Sequence, residues 1–252
     1  MTNFKKKARF FGFLLISMMI FGGCVGIGNV GINHISGEGE EVAEVLQLSG
    51  EVRKIDISGV SATLNITANS SSSVSYNMAE NLRDLLDIEV IEDGILRISS
   101  NRRGTTIGRN HEIIFDVGTN VLEELALSHE VQVNGEGIFT AETFTIDSSG
   151  ATRINLDLNT QNTIIDASGV ADVTLVGETA RLEIDISGAG SIDARGLIAD
   201  DADVSLSGAG DVSVYANNHL DVTVSGVGSV EYFGNPEVTQ SVSGLGSIRR
   251  GD

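Results

Sequence analysis

The chain has 252 residues, 41% of them apolar, with 30 glycines, one proline and no tryptophan. That length suits one all-β domain, and abundant glycine with almost no proline suggests many tight turns between regular strands rather than a disordered linker. Residues 1–23 hold four of the 16 basic residues and none of the 35 acids, so the remainder carries a net −23; a polymer this acidic repels phosphate backbones, which excludes nucleic-acid binding.

Lys5, Lys6, Lys7 and Arg9 precede an uncharged stretch, Phe10 to Phe21, and then Gly22, Gly23 and Cys24. This is the layout of a secretory signal peptide over residues 1–23. The apolar run is roughly a dozen residues, short of the ~20 a membrane-spanning helix needs. Cys24 is the only cysteine, so no intramolecular disulfide can form. Its place after Gly22-Gly23 resembles a lipobox, with Phe21 departing from the usual Leu. That resemblance implies that Cys24 is the lipid attachment site, acylated in the manner of a palmitate-bearing lipoprotein. Residues 24–44 read as the lipidated cysteine and a flexible tether, since Val25 to Gly39 is glycine-rich without an apolar period. The Gly26, Gly28, Gly31 spacing matches a dinucleotide-binding fingerprint, but no strand precedes it and no helix succeeds it, so it carries no nucleotide expectation.

Residues 45–252 form the expected head domain. Its first part, residues 45–145, is less periodic than the remainder. KIDISGVSATLNI contains Ser58-Gly59 between two alternating segments, Glu80 to Leu86 suits one helical turn, and DIEVIEDGILRIS reads as a hairpin about Asp93-Gly94. HEIIFDV and ELALSHEVQV read as further strands.

In the second part a Ser-Gly pair recurs at Ser149, Ser168, Ser187, Ser207, Ser225 and Ser243, spaced 18–20 residues apart, with Ser128 a degenerate earlier copy. Aligned on the serine, position −3 carries Ile146, Ile165, Ile184, Val204, Val222 and Gln240. Position +5 carries Ile154, Val173, Ile192, Val212, Val230 and Ile248. Positions −1 and +7 are also mostly apolar. Apolar residues at odd offsets give a period of two, hence strands with one buried face. Identical residue types at one offset stack if each repeat is one coil of a parallel β-helix, about 4.8 Å above the last. One coil buries about four apolar side chains at about 2 kcal/mol each, less than the ordering of 18–20 residues costs, so coils stand only as a stack. The competing arrangement is one antiparallel hairpin per repeat, turning at the Ser-Gly pair.

The order of KIDISGVSATLNI, ENLRDLLDIEVIEDGILRIS and serial SGAGS and SGAGDV copies resembles the head GIN domain family of auto-transporter adhesins, over roughly residues 45–250. Its members are often bacterial lipoproteins. The resemblance implies an all-β, β-helix-like fold and carries over no catalytic residue.

No nucleophile elbow, phosphate-binding loop or His-Glu-x-x-His is present. His34, His111, His129 and His219 are scattered and form no ligand spacing. Asp200, Asp201 and Asp203 cluster and are of a type that suits calcium, although a solvated Asp-rich turn is the preferred explanation. No cofactor is expected. The reading is a non-enzymatic, extracytoplasmic lipoprotein, held on the outer membrane or on the outer face of the cytoplasmic membrane, whose β-helical surface binds a glycan or protein. The alternatives are a polysaccharide-active enzyme on the same scaffold and a structural envelope module. An exposed row of Ser187, Ser207, Ser225 and Ser243 is expected either to dock a repetitive ligand or to bond coil to coil.

Overall fold

The computed structural model describes residues 34–252 apart from 47, 49, 70–71 and 109–111. In chain order the strands are β1 (His34–Ile35), β2 (Glu41–Leu46), β3 (Lys54–Ser58), β4 (Ala62–Ala68) and β5 (Ser73–Ala79). The single turn of helix α1 (Glu80–Arg83) comes next, then β6 (Leu86–Ile91), β7 (Ile95–Ser100), β8 (Thr106–Ile107), β9 (Ile113–Thr119) and β10 (Glu124–Leu127). Five long strands come after these: β11 (Glu130–Ser148), β12 (Ala151–Ala167), β13 (Val170–Ile186), β14 (Ala189–Leu206) and β15 (Ala209–Val224). The chain ends in β16 (Val227–Gly234), β17 (Glu237–Val242) and β18 (Ser247–Arg250). Within the stretch read as a tether, β1 and β2 are therefore strands; Cys24 and the signal segment lie outside the described residues.

Each of β12 to β15 is one coil, running from one Ser-Gly corner to the next, and all pair in parallel with the coils above and below. The hairpin alternative is thereby excluded for the repeats. Isoleucine stacks on isoleucine as the alignment requires: Ile165 lies on Ile146 and Ile184 on Ile165, while Val173 lies on Ile154 and Ile192 on Val173. These side chains are all buried. Inward polar residues are few and mutually bonded. Thr160 meets Thr163 at 2.8 Å and Thr179 at 2.9 Å, and Thr179 donates to the Arg181 carbonyl at 3.0 Å, so no hydroxyl of the cluster is stranded.

Glycine at the corner answers to the coil beneath rather than to lack of room inside. A Cβ on Gly169, Gly188, Gly208 or Gly226 would stand 1.8–2.0 Å from a carbonyl oxygen of the previous coil. Only a residue without Cβ lets the two backbones approach this closely. Coil length varies at the opposite side: the 20-residue spacing after Ser187 is absorbed by a bulge between Ala194 and Ile198, and the 21-residue spacing after Ser128 by one between Asn134 and Ile138. The Ser-Gly edge therefore stays in register along the stack.

The order of coils departs from the order of the chain. β3 is flanked in parallel by β7 and β10, and β4 by β9 and β11. The coil containing Ser58-Gly59 thus lies inside the stack, with residues 95–119 on one side and residues 124–148 on the other. Leu125 sits on Ile55, 70 residues away in sequence. The intervening segment also closes that end: β5 runs antiparallel to β2 and β9, and β6 antiparallel to β7. The β6–β7 turn places both Asp93 (φ 68°) and Gly94 (φ 72°) in the left-handed region, as an Asp-Gly hairpin requires. Counting parallel strands alone, each of the two strand columns is nine strands deep, about 38 Å along the stack.

At the other end the pattern runs out. Gln240 and Arg250 occupy inward offsets but are exposed, Val242 is 47% exposed, and Tyr232 and Ile248 are half-buried, because no described coil covers them.

Candidate binding surface

The outer face alternates with the core and carries mostly short polar side chains. Ser128, Ser149, Ser168, Ser187, Ser207, Ser225 and Ser243 form the expected exposed row. Their amides continue the ladder round the corner: Ser187 N–H donates to the Ala167 carbonyl at 3.0 Å and Ser225 N–H to that of Leu206 at 2.9 Å. Where a hydroxyl is engaged, as at Ser207, it donates to the backbone carbonyl of the coil below, here Ile186 at 3.3 Å. The row has no serine hydroxyl hydrogen-bonded to a carboxylate among the described residues. Its first member, Ser128, lies 3.4 Å from His129 Nδ1, but that nitrogen already accepts the Gly59 N–H at 3.0 Å. The pair is therefore not a hydroxyl activated by imidazole.

Next to the serines, acidic residues stack in register on neighbouring strands: Asp147, Asp166 and Asp185 in one line, Glu183, Asp203 and Asp221 in another. Burial, and then the Asp221 charge, push the Asp203 carboxyl above the usual carboxylate range. Asp200, Asp201 and Asp203 do not converge. Asp201 faces His219 (Oδ1–Nδ1 2.7 Å) and Asp200 accepts from Asn217 Nδ2 at 3.4 Å. Among the described residues no group of three or more His, Cys, Asp or Glu is placed to hold a metal ion. Of the described histidines His219 is at the far corner, while His129 at the Ser-Gly edge and His34 on β1 lie near enough for their charges to interact; His111 lies outside the described residues.

Two shallow concavities interrupt this surface. One, of about 470 Å³, is walled by Tyr215, Phe233, Asn217, Asn235 and Arg250. Phe233 lies against Gly251, where a Cβ would stand 2.2 Å from the ring, and the Arg195 guanidinium carbon sits 6.0 Å from the ring centroid. The aromatic residues thus fill glycine notches of the next coil. The other, of about 380 Å³, lies where the Ser-Gly edge meets the 101–105 loop, walled by Ser58, Ser100, Arg102, Arg103, Thr105 and His129 among others. Sequence reading missed this second cleft; its one signal is the adjacent Arg102-Arg103 in a chain otherwise so acidic.

No described helix is long and apolar enough to cross a membrane. A regular parallel β-solenoid, displaying small polar residues and two shallow clefts, defines the class. The chain matches over residues 35–236 the family described as "putative auto-transporter adhesin, head GIN domain", and it belongs to that family. Its fold is shared with an adhesin-like protein of Bacteroides fragilis (21% identity, TM-score 0.76, 86% of this chain and 99% of that one). Two proteins of Parabacteroides distasonis share it too, each with TM-score 0.63 over 87% of this chain and 100% of theirs. One is described as a "putative adhesin" at 20% identity, the other as a "putative lipid binding protein" at 21%. Comparison with curated proteins gave no match.

Proposed function

We propose that the chain is a non-enzymatic cell-envelope lipoprotein, anchored through Cys24, whose solenoid presents its outer face for binding or adhesion. The division that goes with this reading is a signal peptide over 1–23, a lipidated cysteine opening the 24–44 stretch read as a tether, and the 45–252 head, to which β1 and β2 also belong through their pairing with β8 and β5. The observation that carries it is the outer surface of coils 149–243. Corner-to-corner strands leave no long loops from which a catalytic cleft is built, and no serine of the exposed row is hydrogen-bonded to a carboxylate among the described residues. Membership of an adhesin family supports the same reading. A repetitive polar face suits many weak contacts made in series, where avidity rather than one deep pocket holds the partner.

Anchoring is tested with a fatty-acid analogue in cells producing wild type or Cys24→Ser. Label on the wild type alone, with the variant released from the membrane fraction, is expected. Two acyl chains give stable anchoring where one does not, so equal labelling of both proteins contradicts the anchor.

A further inference from the structure

The 380 Å³ cleft at the Ser-Gly edge differs from the rest of the surface in charge. Beyond the signal segment the chain has 12 basic residues against 35 acidic ones. Among the described residues, Arg53, Lys54, Arg83, Arg97, Arg153, Arg195 and Arg249 each pair with a carboxylate. Arg250 donates to the Gly234 carbonyl at 2.7 Å. Arg102 and Arg103 have no such partner among the described residues, and no carboxylate is among the residues that wall their cleft. Arg181 is the other described basic residue without an ion pair, and it lies in register with Asp201.

The loop that carries the two arginines is pinned. Ser100 Oγ accepts from the Arg102 amide at 3.1 Å, and the Thr105 amide donates to the Arg102 carbonyl at 3.3 Å across Gly104 (φ 68°). Asn101 Nδ2 donates to the Asp84 carbonyl at 2.8 Å, and its amide to the Leu85 carbonyl at 2.9 Å. Opposite lies His129, in the place a glycine takes in later copies. Its Nδ1 accepts the Gly59 N–H, so the neutral ring carries its proton on Nε2 and keeps a donor. His34 adjoins through the β1–β8 pair, at Thr106. The charged side chains walling the cleft are therefore both cationic, inside a molecule whose field repels densely charged polyanions.

We propose that this cleft binds the oxyanion of an acidic glycan, a sulfate ester or a uronate carboxylate, with Arg102 and Arg103 as its charged donors. Planar guanidinium groups match both oxyanions. The serine and threonine hydroxyls suit the neutral polyhydroxyl remainder, and sparse charge is what the acidic molecule tolerates. The proposal rests on the surface-binding reading above and assigns it a ligand chemistry.

The test is fluorescence anisotropy of the protein with three labelled oligosaccharides of one neutral backbone: one bearing a single sulfate ester, one bearing a single uronate carboxylate, and the uncharged parent. Wild type is expected to bind at least one charged probe and not the neutral one. Arg102→Ala/Arg103→Ala is expected to weaken it at least about ten-fold, since hydrogen bonds to charged groups are the stronger kind. Arg181→Ala is expected to leave it unchanged. Both arginines of the double variant lie on the surface, and its melting curve checks that it folds. Whichever charged probe binds identifies the oxyanion. Failure of both charged probes, or binding that the double variant retains, overturns the site. If a neutral glycan or a protein binds instead and the double variant keeps that binding, the site falls while the surface-binding function stands.

Discussion

Gly208→Ala is the substitution that most directly probes the stacked backbone. The new Cβ would lie 1.8 Å from the Gly188 carbonyl oxygen. Opening that contact to 3.0 Å, the shortest that side chains ordinarily show, moves the two coils apart by about 1.2 Å. The Ala209 N–H to Gly188 carbonyl bond, now 2.9 Å, would stretch past any useful length, and the bonds from Ser207 and Gly208 to Ile186 would be lost with it. Two or three ladder bonds at about 1 kcal/mol each give a loss of roughly 3 kcal/mol before repacking of Leu206 is counted. In a domain of this size that is a fall of about 6–12 °C in melting temperature by circular dichroism. Ala209→Ser, outward at the same corner, serves as the control and should shift it by no more than a degree or two. A Gly208→Ala protein that melts within about 1 °C of wild type refutes the close-approach explanation of the corner glycines.

Two other perturbations test the assigned faces and charges. Val212 is 1% exposed, so Val212→Asp both removes buried apolar area and strands a charge, for a loss of about 3–5 kcal/mol and a melting temperature lower by roughly 10 °C or more. Ser213→Asp, on the outer face, should change little, and similar melting of the two variants rejects the facing. Burial, and then the neighbouring His34, hold His129 below its ordinary 6.5. The folded form resists protonation that the unfolded chain accepts, so stability is whole above 6.5 and declines as pH falls from there through the lowered value. Protonation also breaks the bond to the Gly59 amide, with Arg102, Arg103 and His34 on the same side and Glu130 adjacent. His129→Gln keeps an acceptor and removes the titration; melting temperatures from about pH 7.5 to about pH 5 should therefore fall further for wild type than for the variant, and parallel curves count against the assignment.

The buried face, the coil spacing and the Asp-Gly hairpin were legible because each is written locally, in a period of two or in one dipeptide. Val173, Ile192 and Val212 needed no partner to be known for their direction to be read. Two features were not legible. The placing of Leu125 on Ile55 joins residues 70 apart through a segment, 73–119, whose strands alternate like any others, so nothing local marks that one coil slips beneath another. The basic cleft takes its walls from Ser58, from the loop at Arg102 and from His129, which only that reordering brings together. The corner glycines are legible only as a recurring pair; their cause is the carbonyl of the coil below, which no single repeat displays. At Gln240 and Arg250 the repeat keeps its spacing while its apolar character lapses, as suits the last coil of a stack.

The central claim, a surface that binds without chemical conversion, is most directly tested by holding the purified protein with a ligand from a glycan and protein binding screen. The bound material is then eluted and weighed by mass spectrometry. Ligand recovered at its original mass after prolonged incubation is the expected result. Shortened or unsaturated products, abolished by changing a single acidic residue, would contradict it and make the solenoid the scaffold of an enzyme.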